Sequence, residues 1–496
     1  MILILDCGSQ LTQNIARRIR KLGVYAEIHP HNVALSQVED VEGIIISGGP
    51  QSIYDEFSPA IHSSILEKEL PIFGICYGMH LLASMLGCSV KRASIREYGQ
   101  TYIYNAKGEL FYNISSNFQV WMSHADVVEE LAEGCIATAV SDHHLAAFEN
   151  VEKRMYGVQF HPEVDHTQYG NVILDNFLHI CGAEKTWSYD RIREDVQEII
   201  VSSTTGKIGV GGVSGGIDST LAAYLVSQEC GKNFHPIFID NGLLREGEAQ
   251  DVSSRLEQLG MTVLFVDARE EFLKALTGVT HPDDKRRIIG HKFIEVFERE
   301  AGNIPGVSYL LQGTLYPDVI ESTGIKRHHN VGGLPEKMNL KVVEPFRFLF
   351  KDEIREMAIN NSPLKYEDIY RHPFPGPGLA VRIAGEITPK KLAILRKADY
   401  IYIEELRKRN LYYNISQAGA ILTNADSVGV MGDGHSTASV IALRAVVTTD
   451  FMTADWYDFQ KEDLQAIANR IINEVPGVNR VVYDVTQKPP GTIEWY

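Results

Sequence analysis

Short apolar runs alternate with amphipathic stretches along the N-terminal part of the chain. The apolar run Leu3 to Asp6 predicts a buried strand, and the amphipathic stretch Gln10 to Lys21 predicts a helix after it. A further run, Gly43 to Ile46, ends in the Gly-rich turn Gly48-Gly49-Pro50. Strands and helices that alternate in this way are typical of an α/β domain with a parallel sheet.

A second series of strand and helix patterns follows an interruption at Thr186 to Asp190. It opens with a charged stretch, Arg191 to Val201, that predicts a helix. Four apolar runs then predict strands at Lys207 to Val213, Pro236 to Asp240, Thr262 to Asp267 and Val307 to Gln312. Helical stretches separate these runs, so this block also predicts a parallel sheet.

The pattern changes at Phe374-Pro375-Gly376-Pro377-Gly378, where the Pro and Gly content stops any helix. A long helix is predicted after it, at Pro389 to Arg409, followed by strands and another helix. We therefore predict two successive parallel-sheet α/β domains and a smaller α+β domain, with bounds at residues 1–185, 186–380 and 381–496. The length of 496 residues agrees with about three domains.

Composition and charge narrow the possible functions. The formal net charge of −17 and the absence of Lys/Arg-rich runs argue against a nucleic-acid partner. The sequence has no apolar run of about 18 residues and no basic N-terminal segment, so we expect neither a membrane span nor a signal peptide. Its 6 cysteines form no Cys-x-x-Cys pair, which argues against disulfides and zinc. A cytoplasmic protein is expected.

One cysteine occupies a strand-to-helix turn. A buried strand is predicted at Pro71 to Ile75, Cys76 follows it, and Tyr77 to Leu86 predicts a helix. A helix N-terminus favours negative charge and offers N–H groups to an oxyanion, so this placement suits a nucleophile. A free cysteine by itself is more often a small buried hydrophobic residue. The strand before His161 and Glu163 supplies a general base and a carboxylate to orient it.

The segments Gly-Ile-Cys-Tyr-Gly, Phe-His-Pro-Glu-Val and Ser-Gly-Gly-Pro make this block similar to class I glutamine amidotransferases, which have a flavodoxin-like fold. The resemblance implies that Cys76 attacks the side-chain amide of glutamine and that His161 transfers the proton. Glu163 would orient His161, and the N–H groups of Gly49 and Tyr77 would hold the oxyanion. Ammonia and glutamate are the implied products.

A Gly-rich loop follows the first strand of the second block. Its sequence, Ser214-Gly215-Gly216-Ile217-Asp218-Ser219, lets backbone N–H groups approach an anion at a helix N-terminus. The loop lacks the lysine of a Walker motif, and a structural turn is the alternative. It resembles the loop of the ATP pyrophosphatases, which have an adenine-nucleotide α-hydrolase-like fold. The resemblance implies that all six residues bind ATP and that Asp218 holds Mg²⁺ with ATP, without a bound organic cofactor.

The C-terminal half carries the segments that specify the acceptor of the nitrogen. His328-His329 could form a metal pair, but adjacent histidines face different ways and no third ligand is spaced for zinc, so a Gly-bounded loop that closes on a ligand is favoured. Together with Gln-Gly-Thr-Leu-Tyr-Pro-Asp and the terminal Lys-Pro-Pro-Gly-Thr-Ile-Glu, this loop makes essentially the whole chain resemble the GMP synthetase family.

This resemblance implies that xanthosine 5′-monophosphate (XMP) is adenylated by ATP and aminated to GMP. The implied XMP-binding residues are Arg286, Gln417, Arg480, Lys488, Ile493 and Glu494. Asp318 and Glu321 would lie near the two nucleotides, and Lys326, His328 and His329 would lie on a lid that excludes water. A homodimer through the third domain is also implied, for which the apolar run Ser439 to Val447 could be the interface or an internal strand.

The chain departs from its families at three positions. His80 replaces a usual Gln, Ala125 a usual Gly and His435 a usual Arg. The alternatives are an NAD or asparagine synthetase, a tRNA-modifying adenylase, or a regulatory binding protein without activity. Asparagine synthetases use an N-terminal cysteine, whereas Cys7 is internal, and NAD synthetases resemble the second block alone. A tRNA-modifying enzyme would need a basic surface.

Overall fold

The computed structural model describes residues 1–323, 340–431, 434–448, 451 and 453–496. Its contacts divide the chain into two compact units, Met1–Ile192 and Arg193–Tyr496. Within the described ranges, no helix is both long enough and apolar enough to cross a bilayer. The domain bounds at residues 185 and 380 stay predictions.

The first unit is built around one large sheet and a separate two-stranded ribbon. The strands are β1 (Ile2–Asp6), β2 (Ala26–Pro30), β3 (Gly43–Ile46), β4 (Ile72–Ile75), β5 (Ser89–Ile103), β6 (Phe118–Glu130), β7 (Ile136–Val140), β8 (Leu145–Asn150) and β9 (Met155–Val158). The helices are α1 (Thr12–Lys21), α2 (Tyr77–Met85), α3 (Gly170–Cys181) and α4 (Tyr189–Thr204), which continues into the second unit. The large sheet has the order β2-β1-β3-β4-β9-β8-β7, and β5 pairs with β6.

The predicted parallel sheet forms the centre of this arrangement. Strands β2, β1, β3, β4 and β9 are parallel neighbours, and β1, β3, β4 and β9 are almost wholly buried. The sequence pattern did not predict that β8 and β7 extend the sheet in antiparallel fashion. The connection between β7 and β8 is too short for a crossover, so the two strands can pair only as a hairpin. The carboxyl ends of β4 and β9 lie side by side, which places Cys76 near His161.

The second unit contains a five-stranded parallel sheet in the order β12-β11-β10-β13-β14. Its strands are β10 (Ile208–Gly212), β11 (Phe234–Asp240), β12 (Leu264–Asp267), β13 (Val307–Leu311) and β14 (Lys341–Val343). The helices that accompany it are α5 (Ile217–Cys230), α6 (Glu248–Gln258), α7 (Arg269–Ala275), α8 (Pro282–Gly302), α9 (Tyr316–Thr323), α10 (Lys351–Asn361) and α11 (Tyr366–Ile369). The strands predicted from apolar runs are all present.

A smaller sheet follows in the same unit. Its elements are α12 (Pro389–Lys408), β15 (Gln417–Met431), β16 (Gly434–Val447), β17 (Asp455–Trp456), α13 (Lys461–Glu474) and β18 (Val478–Tyr483). Strands β15 and β17 pair with β16 in antiparallel fashion, and β18 pairs with β16 in parallel fashion. Buried side chains from both sheets, such as Val210 and Ile441, belong to one hydrophobic core. The Gly- and Pro-rich segment therefore changes the fold pattern without separating the cores.

Candidate active sites

Cys76 lies at a strained turn between β4 and α2. Its backbone φ of 52° and ψ of −105° are unusual for a residue with a side chain. Two glycines allow the turn to pack closely. A Cβ on Gly78 would lie 2.3 Å from the carbonyl oxygen of Ile46, and a Cβ on Gly74 would lie 2.4 Å from the carbonyl carbon of Gly78. The predicted elbow is confirmed, and the thiol stands at the N-terminus of a helix.

His161 and Glu163 form a buried pair next to this thiol. Nδ1 of His161 lies 2.7 Å from Oε1 of Glu163, and the imidazole also hydrogen-bonds Cys76. Burial lowers the pKa of His161, but the Glu163 charge and the bonds to Cys76 and Glu163 together raise it well above its usual value. The site therefore favours a proton on His161, which stands ready beside the sulfur as a general acid.

The glycine turn after β3 lies against the same site. A Cβ on Gly48 would lie 3.2 Å from Cε1 of His161 and 3.7 Å from Cβ of Cys76. A Cβ on Gly49 would lie 2.6 Å from the carbonyl oxygen of Cys7, so only glycine fits this close approach. Tyr77 is the first residue of α2, where a backbone N–H has no acceptor within the helix. This geometry supports Gly49 and Tyr77 as oxyanion donors.

Sequence reasoning missed the side chain of Gln159. Its Nε2 lies 3.8 Å from Sγ of Cys76, and its Oε1 lies 2.7 Å from Nε2 of the buried His80. Burial, against the opposing effect of the Gln159 bond, lowers the pKa of His80 to about 4. His80 is therefore neutral near pH 7 and donates to Gln159. The departure at His80 is therefore linked to the Cys76 thiol through a single side chain, that of Gln159.

The departure at Ala125 lies on β6, which also reaches the thiol. The carbonyl oxygen of Ser123, two residues earlier, lies 3.6 Å from Sγ of Cys76. His124 is buried, and its Nε2 lies 3.0 Å from Oε2 of Glu97. Both departures in the first unit are therefore close to the predicted nucleophile.

The predicted pyrophosphate loop is an open cradle in the second unit. It joins β10 to α5, and Gly215 has a φ of +80° that favours glycine. Ser214 and Ser219 are joined through their Oγ atoms at 3.0 Å, and the N–H of Gly216 donates to Oγ of Ser214 at 3.3 Å. Gly216 caps α5 without a side-chain hydrogen bond, so the N–H groups of that helix end remain available to an anion.

A cavity of about 800 Å³ opens beside this loop. Its lining includes Gly212 to Asp218, Ile237 to Ile239, Phe293, Phe297, Leu310 to Thr314, Asp318, Lys351, Arg355 and Arg371 to Gly376. The volume, the apolar strand residues and the basic side chains are suited to a nucleotide with a polyphosphate.

A lysine that the loop itself lacks reaches it from another element. Lys351, the first residue of α10, forms an ion pair with Oδ2 of Asp218. The other carboxylate oxygen, Oδ1 of Asp218, is buried without a hydrogen-bond partner among the described residues. An unpaired buried carboxylate oxygen beside a phosphate cradle fits a hard cation such as Mg²⁺. No sequence signal connected Lys351 with the loop.

The acids expected near the nucleotides are only partly described. Asp318 lines the cavity, and its Oδ2 accepts a hydrogen bond from the backbone N–H of Leu315 at 2.9 Å. Glu321 belongs to α9, but its side chain lies outside the described residues. Lys326, His328 and His329 also lie outside them.

Among the residues expected to bind XMP, two are bonded to each other and the basic ones are bonded to other protein groups. Nε2 of Gln417 donates to Oε1 of Glu494 at 2.6 Å, so the structure brings these two together. Arg286 pairs with its helix neighbour Asp283 at 3.1 Å, and Arg480 donates to Ser427 at 2.6 Å.

Two further residues of this set lie close to the chain end. Nζ of Lys488 donates to the carbonyl oxygen of Phe451 at 2.6 Å. Ile493 is half-buried next to Glu494. His435, the third departure, pairs with Val430 across the β15–β16 hairpin and is exposed.

Family models match three parts of the chain. Residues 3–181 match class-I glutamine amidotransferase, residues 188–288 match NAD synthase, and residues 404–495 match the GMP synthase C terminal domain. The glutamine-hydrolyzing GMP synthases of Carboxydothermus hydrogenoformans and Aquifex aeolicus are each 50% identical over 506 residues, which cover 100% of this chain and 99% of the relative. The glutamine-hydrolyzing GMP synthase of Kluyveromyces lactis is 48% identical over 513 residues, covering 100% of this chain and 98% of the relative.

Proposed function

Because the chain belongs to the glutamine-hydrolysing GMP synthase family, we propose that it makes GMP from XMP by joining two chemistries. The amidotransferase part releases ammonia from glutamine, and the ATP-using part activates the nucleotide that receives the nitrogen. The observation that carries the first assignment is the buried His161–Glu163 pair that bonds Cys76 at a strained turn.

In the first reaction, the Cys76 thiolate attacks the amide carbon of glutamine. The oxyanion that forms accepts hydrogen bonds from the N–H groups of Gly49 and Tyr77. The carbon–nitrogen bond breaks as His161 gives its proton to the leaving nitrogen, and ammonia departs. Water, deprotonated by His161, then cleaves the thioester to glutamate and restores the thiol. Glu163 holds the imidazole in place through both steps.

In the second reaction, the oxygen on C2 of XMP attacks the α-phosphate of ATP. Pyrophosphate leaves while the loop from Ser214 to Ser219 holds its oxygens at the N-terminus of α5, through backbone N–H groups and the hydroxyls of the two serines. Lys351 contributes a positive charge at the same place. Mg²⁺ bound with ATP supplies charge neutralisation for the leaving group, and Asp218 would hold it. Ammonia then displaces AMP from C2, and GMP results.

The XMP site is proposed on Gln417, Glu494 and the basic residues of the family pattern. Gln417 and Glu494 are hydrogen-bonded to each other, which supports a shared surface for the base. Arg286, Arg480 and Lys488 now bond to protein oxygens, and we propose that phosphate replaces those partners. Asp318 lines the ATP cavity, as a residue between the two nucleotides would.

A homodimer in the cytoplasm is also proposed. The run Ser439 to Val447 is largely buried within its own subunit, so it serves as an internal strand. Two neighbours on β15 offer a better interface, because Val428 is 67% exposed and Val430 is 71% exposed. The mass of the chain in solution, measured by light scattering for wild type and for Val428→Glu, tests this. Loss of a dimer only in the variant supports it, and a monomeric wild type contradicts it.

A panel of acceptors tests the main proposal. The full chain is incubated with ATP, Mg²⁺ and ammonium, together with XMP, IMP, aspartate or deamido-NAD. We expect AMP release with XMP alone, since this is the acceptor of the proposed reaction. AMP release with aspartate or deamido-NAD, and none with XMP, would overturn the assignment. Replacement of ammonium by glutamine then reports on the first reaction.

A further inference from the structure

A buried arginine lies behind the chain end. Arg382 is 1% exposed, and it occupies the turn that precedes α12. Its Nε donates to Oε2 of Glu494 at 2.9 Å and its Nη2 donates to Oε1 of Glu494 at 2.6 Å. The guanidinium and the carboxylate therefore meet in a two-bond fork, the most directional ion pair available to these groups.

The position of Arg382 is itself fixed from several sides. Its Nη1 lies 3.3 Å from Oδ1 of Asp399, which is fully buried and also pairs with Arg245 at 2.8 Å. The guanidinium packs directly over β15, where a Cβ on Gly419 would lie 2.2 Å from Nη1. Its carbon lies 5.4 Å from the centre of the Phe374 ring. Arg382 therefore has little freedom to move away from Glu494.

These contacts use most of the acceptor capacity of Glu494. A carboxylate has about four lone-pair sites. Oε1 accepts from both Arg382 and Gln417, and Oε2 accepts from Arg382. One site on Oε2 is left, and it selects a ligand that offers a single N–H donor. The xanthine base of XMP carries such N–H groups on its ring.

We propose that Arg382 is a positioning residue for base recognition: it holds the Glu494 carboxylate so that Oε2 accepts one ring N–H of XMP. This inference rests on the proposed function, which supplies XMP as the ligand. Arg382 lies behind Glu494 and acts through it. Without such a partner, the flexible side chain of Glu494 would populate several rotamers.

Two variants test the inference with ammonium as nitrogen donor, so that the glutamine site is not involved. Arg382→Lys keeps the charge but removes the fork, and Gly419→Ala keeps the arginine but displaces its guanidinium. Each should raise the KM for XMP by about ten- to a hundredfold and leave the KM for ATP within about twofold. Arg470→Lys is the matched control, because Arg470 pairs with Glu404, Glu405 and Glu474 and not with the chain end.

The outcomes distinguish a wrong role for Arg382 from a variant that does not fold and from a wrong proposed function. An equal rise in both KM values, or an unchanged KM for XMP in the variant that folds, overturns the inference. Thermal unfolding identifies a variant that does not fold, and the other variant then decides. If wild type itself forms AMP without any dependence on XMP, the proposed function fails and not the role of Arg382. A normal KM for XMP in Arg470→Lys would show that replacing an ion-paired arginine is not in itself enough to raise this KM. A raised KM in this control would contradict the specific role of Arg382.

Discussion

The site around Cys76 and the cavity beside the Ser214–Ser219 loop differ in how their polar groups are bonded. In the first unit, Cys76, His161 and Glu163 are 5%, 4% and 1% exposed and are bonded to each other. In the second unit, Ser214 is exposed to a cavity of about 800 Å³, and Asp218 pairs with Lys351 across its edge. The first site is buried with its groups already hydrogen-bonded to one another, whereas the second site is open.

The substrates that we propose for the two sites account for this difference. Glutamine is small and reacts at a neutral amide, so a buried nucleophile and base lose little by being prearranged. ATP is a large polyanion, and the cationic groups that bind it must have other partners in its absence, because unpaired charges are costly to bury. In the structure, Asp218 is this partner for Lys351. Binding of ATP at the open site would therefore require Lys351 to exchange its ion pair with Asp218 for a bond to phosphate.

The largest expected effect separates the two sites completely. Cys76→Ala should reduce glutamine-dependent GMP formation by at least about a thousandfold, because the nucleophile is lost. Ammonium-dependent formation should remain near the wild-type rate, since the ATP cavity is unchanged. Cys135→Ala, which removes another thiol of the first unit, is the control and should keep both activities. Loss of both activities in Cys76→Ala would show that the two sites are not independent.

The next effect concerns the open site. Asp218→Ala should lower both the glutamine- and the ammonium-dependent rates by about a hundred- to a thousandfold, because the charge on leaving pyrophosphate is no longer neutralised. The measurement is pyrophosphate release with XMP and ATP. Asp251→Ala, at an exposed acid of α6, should be near wild type. An unchanged pyrophosphate burst in Asp218→Ala would contradict the role of this loop.

A smaller effect is expected at Lys351, which tests whether this lysine exchanges Asp218 for phosphate. Lys351→Met should raise the KM for ATP by about ten- to a hundredfold, because one charged bond to phosphate is lost. The KM for glutamine should not change. Lys365→Met removes an exposed lysine that does not line the cavity and serves as the control. If both variants behave alike, Lys351 has no special role in binding ATP.

The smallest expected effect is on stability, and it tests whether His80 is as buried as the structure shows. The pKa of His80 falls from 6.5 to about 4 in the folded state. Below about pH 6.5 the unfolded chain binds a proton that the folded chain excludes, so stability is lost as the pH falls toward 4. Between pH 7 and 5 this amounts to about 2 kcal/mol in the free energy of unfolding.

The variant His80→Gln isolates this contribution. Its unfolding free energy should depend less on pH than that of wild type over the same range. His372→Gln is the control in the second unit, where burial also lowers the pKa of His372 to about 4, although a hydrogen bond from its imidazole to the backbone carbonyl of Tyr412 opposes the shift. Denaturant unfolding followed separately for the two units provides the measurement. An unchanged pH slope in the first unit of His80→Gln would mean that water reaches this histidine.

Local sequence patterns were sufficient for much of the fold and for the turn that carries Cys76. The run at Gly43 to Ile46 coincides with β3, and the helix predicted to end at Arg409 ends at Lys408. Such elements follow from the period of apolar residues and from turn-forming residues, which are short-range signals. The elbow at Cys76 was predicted for the same reason, because its strand, glycines and helix are contiguous.

The chain's sequence by itself determined its alternating elements, the strand-to-helix turn at Cys76 and the Gly-rich loop from Ser214 to Ser219. Only the tertiary structure decided which distant residues complete the sites. Lys351 and Asp218 are 133 positions apart, and Arg382 and Glu494 are 112 apart. Periodicity and spacing carry no information over such separations, whereas burial requires every buried charge to find a partner wherever the fold brings one within reach.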